Sequence, residues 1–264
     1  MTSTALLRWT LLVVGLSAAS AEAEPAGLCT GFGPQTPRDI ASATGSNPVR
    51  FAVAGGVEGM NLCNIHFHAP AEHRGPGFPF AARGDREAGF RCDGADALTA
   101  AERAPPAGVA ACRGVAPGDT IEVHWVYTSC DVSPGKGLGA CVSDACANPT
   151  LRVEAQVFLV VNDSAPLDFA AFDYGGSTVN GYHQTRALPG ETGDPVVFRG
   201  STTGPSYSEA TCSPLHVTWS VRPQCARLDI ASLHAWCAGN AFDEDHAHGA
   251  RRLVTAPELL APID

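Results

Sequence analysis

The sequence predicts one mixed α/β domain dominated by β-sheet, exported from the cell, and three observations carry that expectation. Gly (28) and Pro (20) are plentiful while charged residues are only 17%, which favours short strands joined by turns over long solvated helices. Four runs look like strands, one of them with polar-apolar alternation and β-branched residues. Ten cysteines, an even number, follow an N-terminal segment with the features of a secretory signal.

That signal is read over residues 1–23. Arg8 gives a positive start, Leu11 to Leu16 a short apolar core, and Ala21-Glu22-Ala23 a small-x-small cleavage site. The apolar run falls short of the roughly 20 residues a bilayer span needs, so a retained anchor is the lesser reading. Residues 24–264 then form a single domain. Strands are expected at Asn61–His68, Asp119–Thr128, Leu151–Val161 and Leu215–Val221. Between Gly75 and Gly118 the chain reads as a long irregular loop with a short helix at Leu98–Arg103. The best other helix is Ile230–Cys237. Neither an internal repeat nor a low-complexity block is present.

A net charge of -10 argues against a nucleic-acid partner, which needs a basic face. No polybasic patch suggests a membrane surface, and no later stretch is apolar enough to span one, so a small ligand is expected. The cysteines, in an exported chain, read as up to five disulfides. Cysteine-ligated zinc is the rival, weakened because no Cys-x-x-Cys pair exists. Asn162-Asp-Ser164 fits a glycosylation sequon, which has meaning only in a host that glycosylates it.

The densest chemistry lies in His66-Phe-His-Ala-Pro-Ala-Glu-His73. Residues i and i+2 of a strand share a face, so His66 and His68 project together as a pair of imidazole ligands. Catalytic zinc commonly takes three protein ligands and keeps a fourth position for water. His124, central in the next strand, is the expected third. Glu122 shares its face and can accept the N–H of the His124 ring. Asp243-Glu-Asp-His-Ala-His248 is read as a solvated loop, with a second metal cluster as its alternative. His183, His216 and His234 are read as structural.

Together these segments resemble carbonic anhydrases. His66-Phe-His-Ala-Pro-Ala-Glu-His is similar to the His-Phe-His-x-Pro-x-Glu-His segment of the bacterial alpha class. With Cys63-Asn-Ile before it and Arg74-Gly after it, the stretch resembles the delta class more closely. Glu122-Val-His-Trp-Val126 resembles the strand carrying the third zinc histidine. Cys29-Thr-Gly-Phe-Gly-Pro-Gln-Thr-Pro37 resembles the N-terminal turn. Gly200-Ser-Thr-Thr-Gly-Pro205, Cys212-Ser213 and Val217-Thr-Trp219 resemble the segment bearing the catalytic threonine. The matches run in one order over most of the chain.

The resemblance implies a large, mostly antiparallel central sheet and a Zn2+ cofactor on His66, His68 and His124. It implies reversible hydration of CO2 to bicarbonate through zinc-bound hydroxide. Asn64, Glu122 and His73 would support the ligands. Thr203 would accept a hydrogen bond from the hydroxide and pass its own proton to Glu72, with Thr211 as the alternative threonine. Val126, Val217 and Trp219 would line the apolar side of the CO2 pocket, and Cys29 would pair with Cys212. The chain departs from the alpha class in three places. No histidine precedes His66 to serve as proton shuttle, Thr202 stands where that class has leucine, and Gly204 stands where it has its second threonine.

Two other readings stay open. A cupin-type metalloenzyme would use His66, His68, Glu72 and His124 together as ligands. A non-catalytic secreted module on the same fold is the other.

Overall fold

The computed structural model describes residue 29 and residues 32–82, 88–108, 110–202 and 212–263. The expected signal at residues 1–23 lies outside them. Six strands build the central sheet: β1 (Asn61–His68), β2 (Thr120–Thr128), β3 (Leu151–Val161), β4 (Val196–Ser201), β5 (His216–Val221) and β6 (Ala226–Asp229). One α-helix among the described residues, α1 (Ile230–Cys237), follows directly. Two further ladders are only two residues per strand, Phe80–Ala81 with Phe90–Arg91 and Thr178–Val179 with Tyr182–His183.

The order across the sheet is β1-β2-β3-β5-β4, with β6 also beside β3. The pairs β1/β2, β2/β3 and β4/β5 are antiparallel, whereas β3/β5 and β3/β6 are parallel. The sheet is therefore mixed, where the expectation was mostly antiparallel. The cause is that one edge of β3 is served twice. β5 pairs with Leu151–Ala155, the chain breaks at Arg222-Pro223, and β6 resumes in the same direction along Phe158–Val161. Pro223 has no N–H for a ladder, so the strand cannot run through it.

Every residue of β2 is buried, so both faces of the strand are covered. Ile121, Val123, Trp125 and Tyr127 pack with Ile65, Phe67, Phe158 and Val160 beneath Leu233 and Trp236 of α1. Each such side chain contributes roughly 1.5–3 kcal/mol on burial. The Trp125 indole N–H also reaches the Phe172 carbonyl at 2.9 Å. Val126 lies in the opposite core with Val153, Ala155, Val217, Trp219 and Val221. Glu122 and His124 share the face of Val126, because the period of a strand is two. A register shift between Leu62 and Asn64 re-aims β1, so that Asn64, His66 and His68 face the same side.

Asp229 caps α1 by accepting from the N–H groups of Ala231 and Ser232, worth about 1 kcal/mol. The helix expected at Leu98–Arg103 is instead a run of turns. Thr99 and Glu102 do exchange hydrogen bonds across its start, but Pro105 and Pro106 follow too soon for a second turn. The loop from Gly75 to Gly118 carries a short 3-10 turn at Asp93–Ala97 instead.

Five disulfides link Cys29 to Cys212, Cys63 to Cys141, Cys92 to Cys225, Cys112 to Cys237 and Cys130 to Cys146, leaving no free cysteine. Cysteine-ligated zinc is thereby removed, and the pairing points to an oxidising, extracellular environment. Among the described residues, no helix is long and apolar enough to cross a membrane.

Candidate metal centre

On β1 and β2, His66 stands directly across the ladder from His124, and His68 across from Glu122. Potential ligand nitrogens of His66, His68 and His124 all lie within 4.8 Å of one another. Each ring has one nitrogen engaged by an oxygen. His66 Nδ1 is 2.7 Å from Asn64 Oδ1, His68 Nδ1 is 3.1 Å from the Gly249 carbonyl, and His124 Nε2 is 2.9 Å from Glu122 Oε1. The nitrogens left over are Nε2 of His66, Nε2 of His68 and Nδ1 of His124. His66 Nε2 and His124 Nδ1 are 3.2 Å apart. Two nitrogens on a tetrahedral zinc with bonds of 2.0–2.1 Å stand about 3.3 Å apart, so this pair is spaced for one ion.

Burial favours the neutral form of His66 and His68. It pushes His66 well below its ordinary value, with the neighbouring imidazoles His124, His68 and His248 adding to the effect. Burial also lowers His68, to about 4, against the opposing pull of Glu72. Neutral imidazole is the form that binds metal.

Glu122 is wholly buried and has four donors around it. Oε1 accepts from His73 Nδ1 (2.6 Å) and faces His124 Nε2, while Oε2 accepts from the backbone N–H groups of Glu72 and His73 at 2.8 and 2.9 Å. Burial alone would raise its pKa. His73 and His124 override that and hold it well below the usual carboxylate range. His73, itself fully buried, packs its ring 4.8 Å from that of Trp219.

Trp219 forms the floor behind His124, with ring centroids 5.0 Å apart, and Val126 and Val217 lie in the same apolar cluster. Its indole N–H reaches the Ser201 carbonyl at 2.9 Å. Gly200 must be glycine here, because a Cβ would sit 2.8 Å from Trp219 Cδ1 and 2.5 Å from Thr36 Cγ2. Three sequence segments meet at this corner. Thr36 donates to the Ser201 carbonyl at 2.6 Å, Gln35 Nε2 to the Ser213 carbonyl at 3.1 Å, and Ser213 Oγ to the Thr202 carbonyl. The Cys29–Cys212 disulfide ties the same segments together. Thr203 and Thr211 lie outside the described residues, as does Gly204.

Glu72 is also fully buried. Its described partners are Arg251, through the backbone N–H (3.1 Å), Nε (3.0 Å) and a terminal nitrogen (2.9 Å), and His68 Nδ1 at 3.4 Å. Burial would raise its pKa, yet Arg251 and then His68 hold it far below the usual range. Arg251 and Gly249 were not among the residues expected at the site. A backbone carbonyl has no residue-type signal, and Arg251 follows a stretch read as loop. The nearest available clue was Asp243-Glu-Asp-His-Ala-His248. Instead of standing apart, His248 sets its ring 5.7 Å from His66 and 5.6 Å from His68, and pairs with Glu244 at 2.9 Å. That hydrogen bond raises the His248 pKa.

A search of solved structures gives a hyperthermostable carbonic anhydrase identified from an active hydrothermal vent chimney. It is 15% identical over 85% of this chain and 84% of its own, with a TM-score of 0.33, a likeness too weak to carry an argument. No curated protein matches. The sequence profile described as "Delta carbonic anhydrase" matches residues 57–232, more than half of the chain and both strands of the histidine cluster. The chain belongs to the delta carbonic anhydrase family.

Proposed function

We propose that the chain is an exported zinc carbonic anhydrase, interconverting CO2 with bicarbonate and a proton at a centre held by His66, His68 and His124. The observation that carries this reading is the convergence of three imidazole nitrogens whose opposite nitrogens are each engaged by an oxygen. Three imidazole donors within 4.8 Å of one another, with His66 Nε2 and His124 Nδ1 3.2 Å apart, suit tetrahedral zinc with one position left open. Zinc so held lowers the pKa of a coordinated water from 15.7 towards about 7, which supplies a nucleophile for CO2 at neutral pH.

The protein's own residues have three tasks. Asn64, the Gly249 carbonyl and Glu122 fix the ring orientation and tautomer of one histidine each. Val126, Val217 and Trp219 give the apolar wall against which CO2 rests. Thr203 would orient the attacking oxygen while its hydroxyl donates a hydrogen bond to Glu72, a role suited to a carboxylate that Arg251 keeps ionised. Glu72 also favours the anhydrase over the cupin reading. A cupin would use it as a ligand, whereas here Arg251 donates to both its oxygens. Export through a signal over residues 1–23 accords with five disulfides and no free thiol.

The test is stopped-flow CO2 hydration with zinc content measured on the same samples, for the mature protein and His124→Ala. The expected result is about one zinc per chain and hydration above buffer for the parent, with both lost in His124→Ala. A zinc-loaded parent without activity above buffer refutes the reading. Iron or manganese in place of zinc, lost in Glu72→Gln, would favour the cupin.

A further inference from the structure

The segment from Asn240 to Arg251 lies beyond the family match, yet it is stitched to the ligand strand. The His248 N–H donates to the Phe67 carbonyl at 2.9 Å and the Ala69 N–H to the His248 carbonyl at 2.9 Å. Three residues further on, Arg251 spends every kind of donor it has on the interior. Its backbone N–H and Nε go to Glu72 Oε1, one terminal nitrogen to Glu72 Oε2, and the other to the Thr36 carbonyl at 3.2 Å. We infer that Arg251 is a positioning residue of the metal centre: by clamping Glu72 and seating the strap that carries Gly249, it holds His68 in the tautomer that leaves Nε2 free. The inference rests on the reading that His68 is a metal ligand.

The geometry is specific. His68 Nδ1 faces two oxygens, Gly249 O at 3.1 Å and Glu72 Oε1 at 3.4 Å. Both belong to groups that Arg251 fixes, one through the chain and one through the guanidinium fork. An imidazole nitrogen that faces only acceptors carries the proton, and the lone pair is then on the other nitrogen. A two-point guanidinium clamp sets the carboxylate plane as well as its position, which a lysine cannot do. Without the fork, Glu72 is a buried carboxylate free to turn, and the strap keeps its His248 hydrogen bonds but loses its anchor on the C-terminal side of Gly249.

Loss of a partner that orients a ligand typically weakens metal binding by about 10–100-fold. Arg251→Ala is therefore expected to raise the zinc Kd by about that factor in a chelator competition, with Arg251→Lys intermediate. In Glu72→Gln the further change to Arg251→Ala should add little, because the two act in series. The readout that separates positioning from mere support is the 15N signature of the His68 ring in the metal-free protein. The expectation is Nδ1–H in the parent and a tautomer mixture in Arg251→Ala and Arg251→Gln, with far-UV circular dichroism unchanged. Should Arg251→Ala not fold, Arg251→Gln and Arg251→Lys carry both readouts. An unchanged His68 tautomer with zinc affinity within twofold of the parent overturns the inference. If the parent binds no zinc while the tautomer still depends on Arg251, the metal reading fails and the positioning role stands.

Discussion

Glu122→Gln is nearly isosteric and removes one charge, yet it should cripple the metal centre. The carboxylate accepts at four points: His73 Nδ1 and His124 Nε2 on Oε1, and the backbone N–H groups of Glu72 and His73 on Oε2. A glutamine has one acceptor oxygen and one NH2, so two of the four donors must face another donor. If the NH2 replaces Oε2, two buried backbone N–H groups are orphaned. If it replaces Oε1, both histidines must present a bare nitrogen to it. His73 can do so, since its Nε2 has no partner among the described residues. His124 cannot without cost, because its proton then moves to Nδ1, the nitrogen 3.2 Å from His66 Nε2, and that tautomer does not ligate.

Hydrogen bonds to a charged group contribute about 1.5–3 kcal/mol each, so losing two predicts about 3–6 kcal/mol of destabilisation for the metal-free protein. Zinc affinity should fall about 10–100-fold on top of that. Urea unfolding of the metal-free protein reads the first quantity, and competition with a chromophoric chelator reads the second. A Glu122→Gln variant with zinc affinity within twofold of the parent would refute the claim that this carboxylate sets the His124 tautomer.

Acid should weaken the metal-free fold. His68 is depressed from 6.5 to about 4, so the unfolded chain gains a proton over that interval that the folded chain refuses. The stability is complete above pH 6.5 and declines as pH falls towards 4, by about 3 kcal/mol from this group alone. Glu72 and Glu122, depressed below 4.5, extend the loss at still lower pH. Equal urea midpoints at pH 7 and pH 4.5 would contradict this. Replacing Cys63 and Cys141 by alanine opens a loop of 78 residues and should cost about 4 kcal/mol, read by denaturant unfolding against a reduced-parent control. Because Gly135 accepts from Asn64 Nδ2 and donates to the Cys63 carbonyl, the same variant should weaken zinc binding, whereas Cys130/Cys146 removal should do so less. Glu154→Ala removes the buried acceptor of Arg152, Arg222 and Ser220 and should destabilise by about 3–5 kcal/mol, seen in the thermal midpoint, with zinc affinity unchanged.

What could be read from the sequence follows the range of each interaction. The pairing of His66 with His68, and of Glu122 with His124, is a property of strand alternation and needs only the local chain. Strands β2 and β3 announce themselves through long runs rich in β-branched residues, and β1 through its apolar and His-x-His alternation. β4 and β6 do not: Val196–Ser201 is short and half-buried, and Ala226–Asp229 has four residues that are strand only because β3 lies beside them. The parallel pairings that make the sheet mixed depend on where β5 and, after Pro223, β6 return beside β3, which no local pattern encodes. Ten cysteines imply disulfides, but not that Cys92 meets Cys225 or Cys112 meets Cys237.

The same limit explains the rest of the site. His68 leans on a backbone carbonyl 181 residues away, and Glu72 on an arginine 179 residues away. Neither Gly249 nor Arg251 carries a motif. His248 reads as part of a charged loop until the fold brings it against His66 and His68. Short-range geometry supplies the ligands, and long-range closure supplies what holds them.

The central claim, that three imidazoles hold one ion through nitrogens chosen by their oxygen partners, is tested most directly by zinc K-edge absorption on the loaded protein. The account predicts a four-coordinate site with three imidazole nitrogens at about 2.0–2.1 Å, one light-atom ligand and no sulfur, reduced to two imidazoles or emptied in His124→Ala. A carboxylate in the first shell that disappears in Glu72→Gln, or a parent spectrum unaltered in His124→Ala, would contradict it.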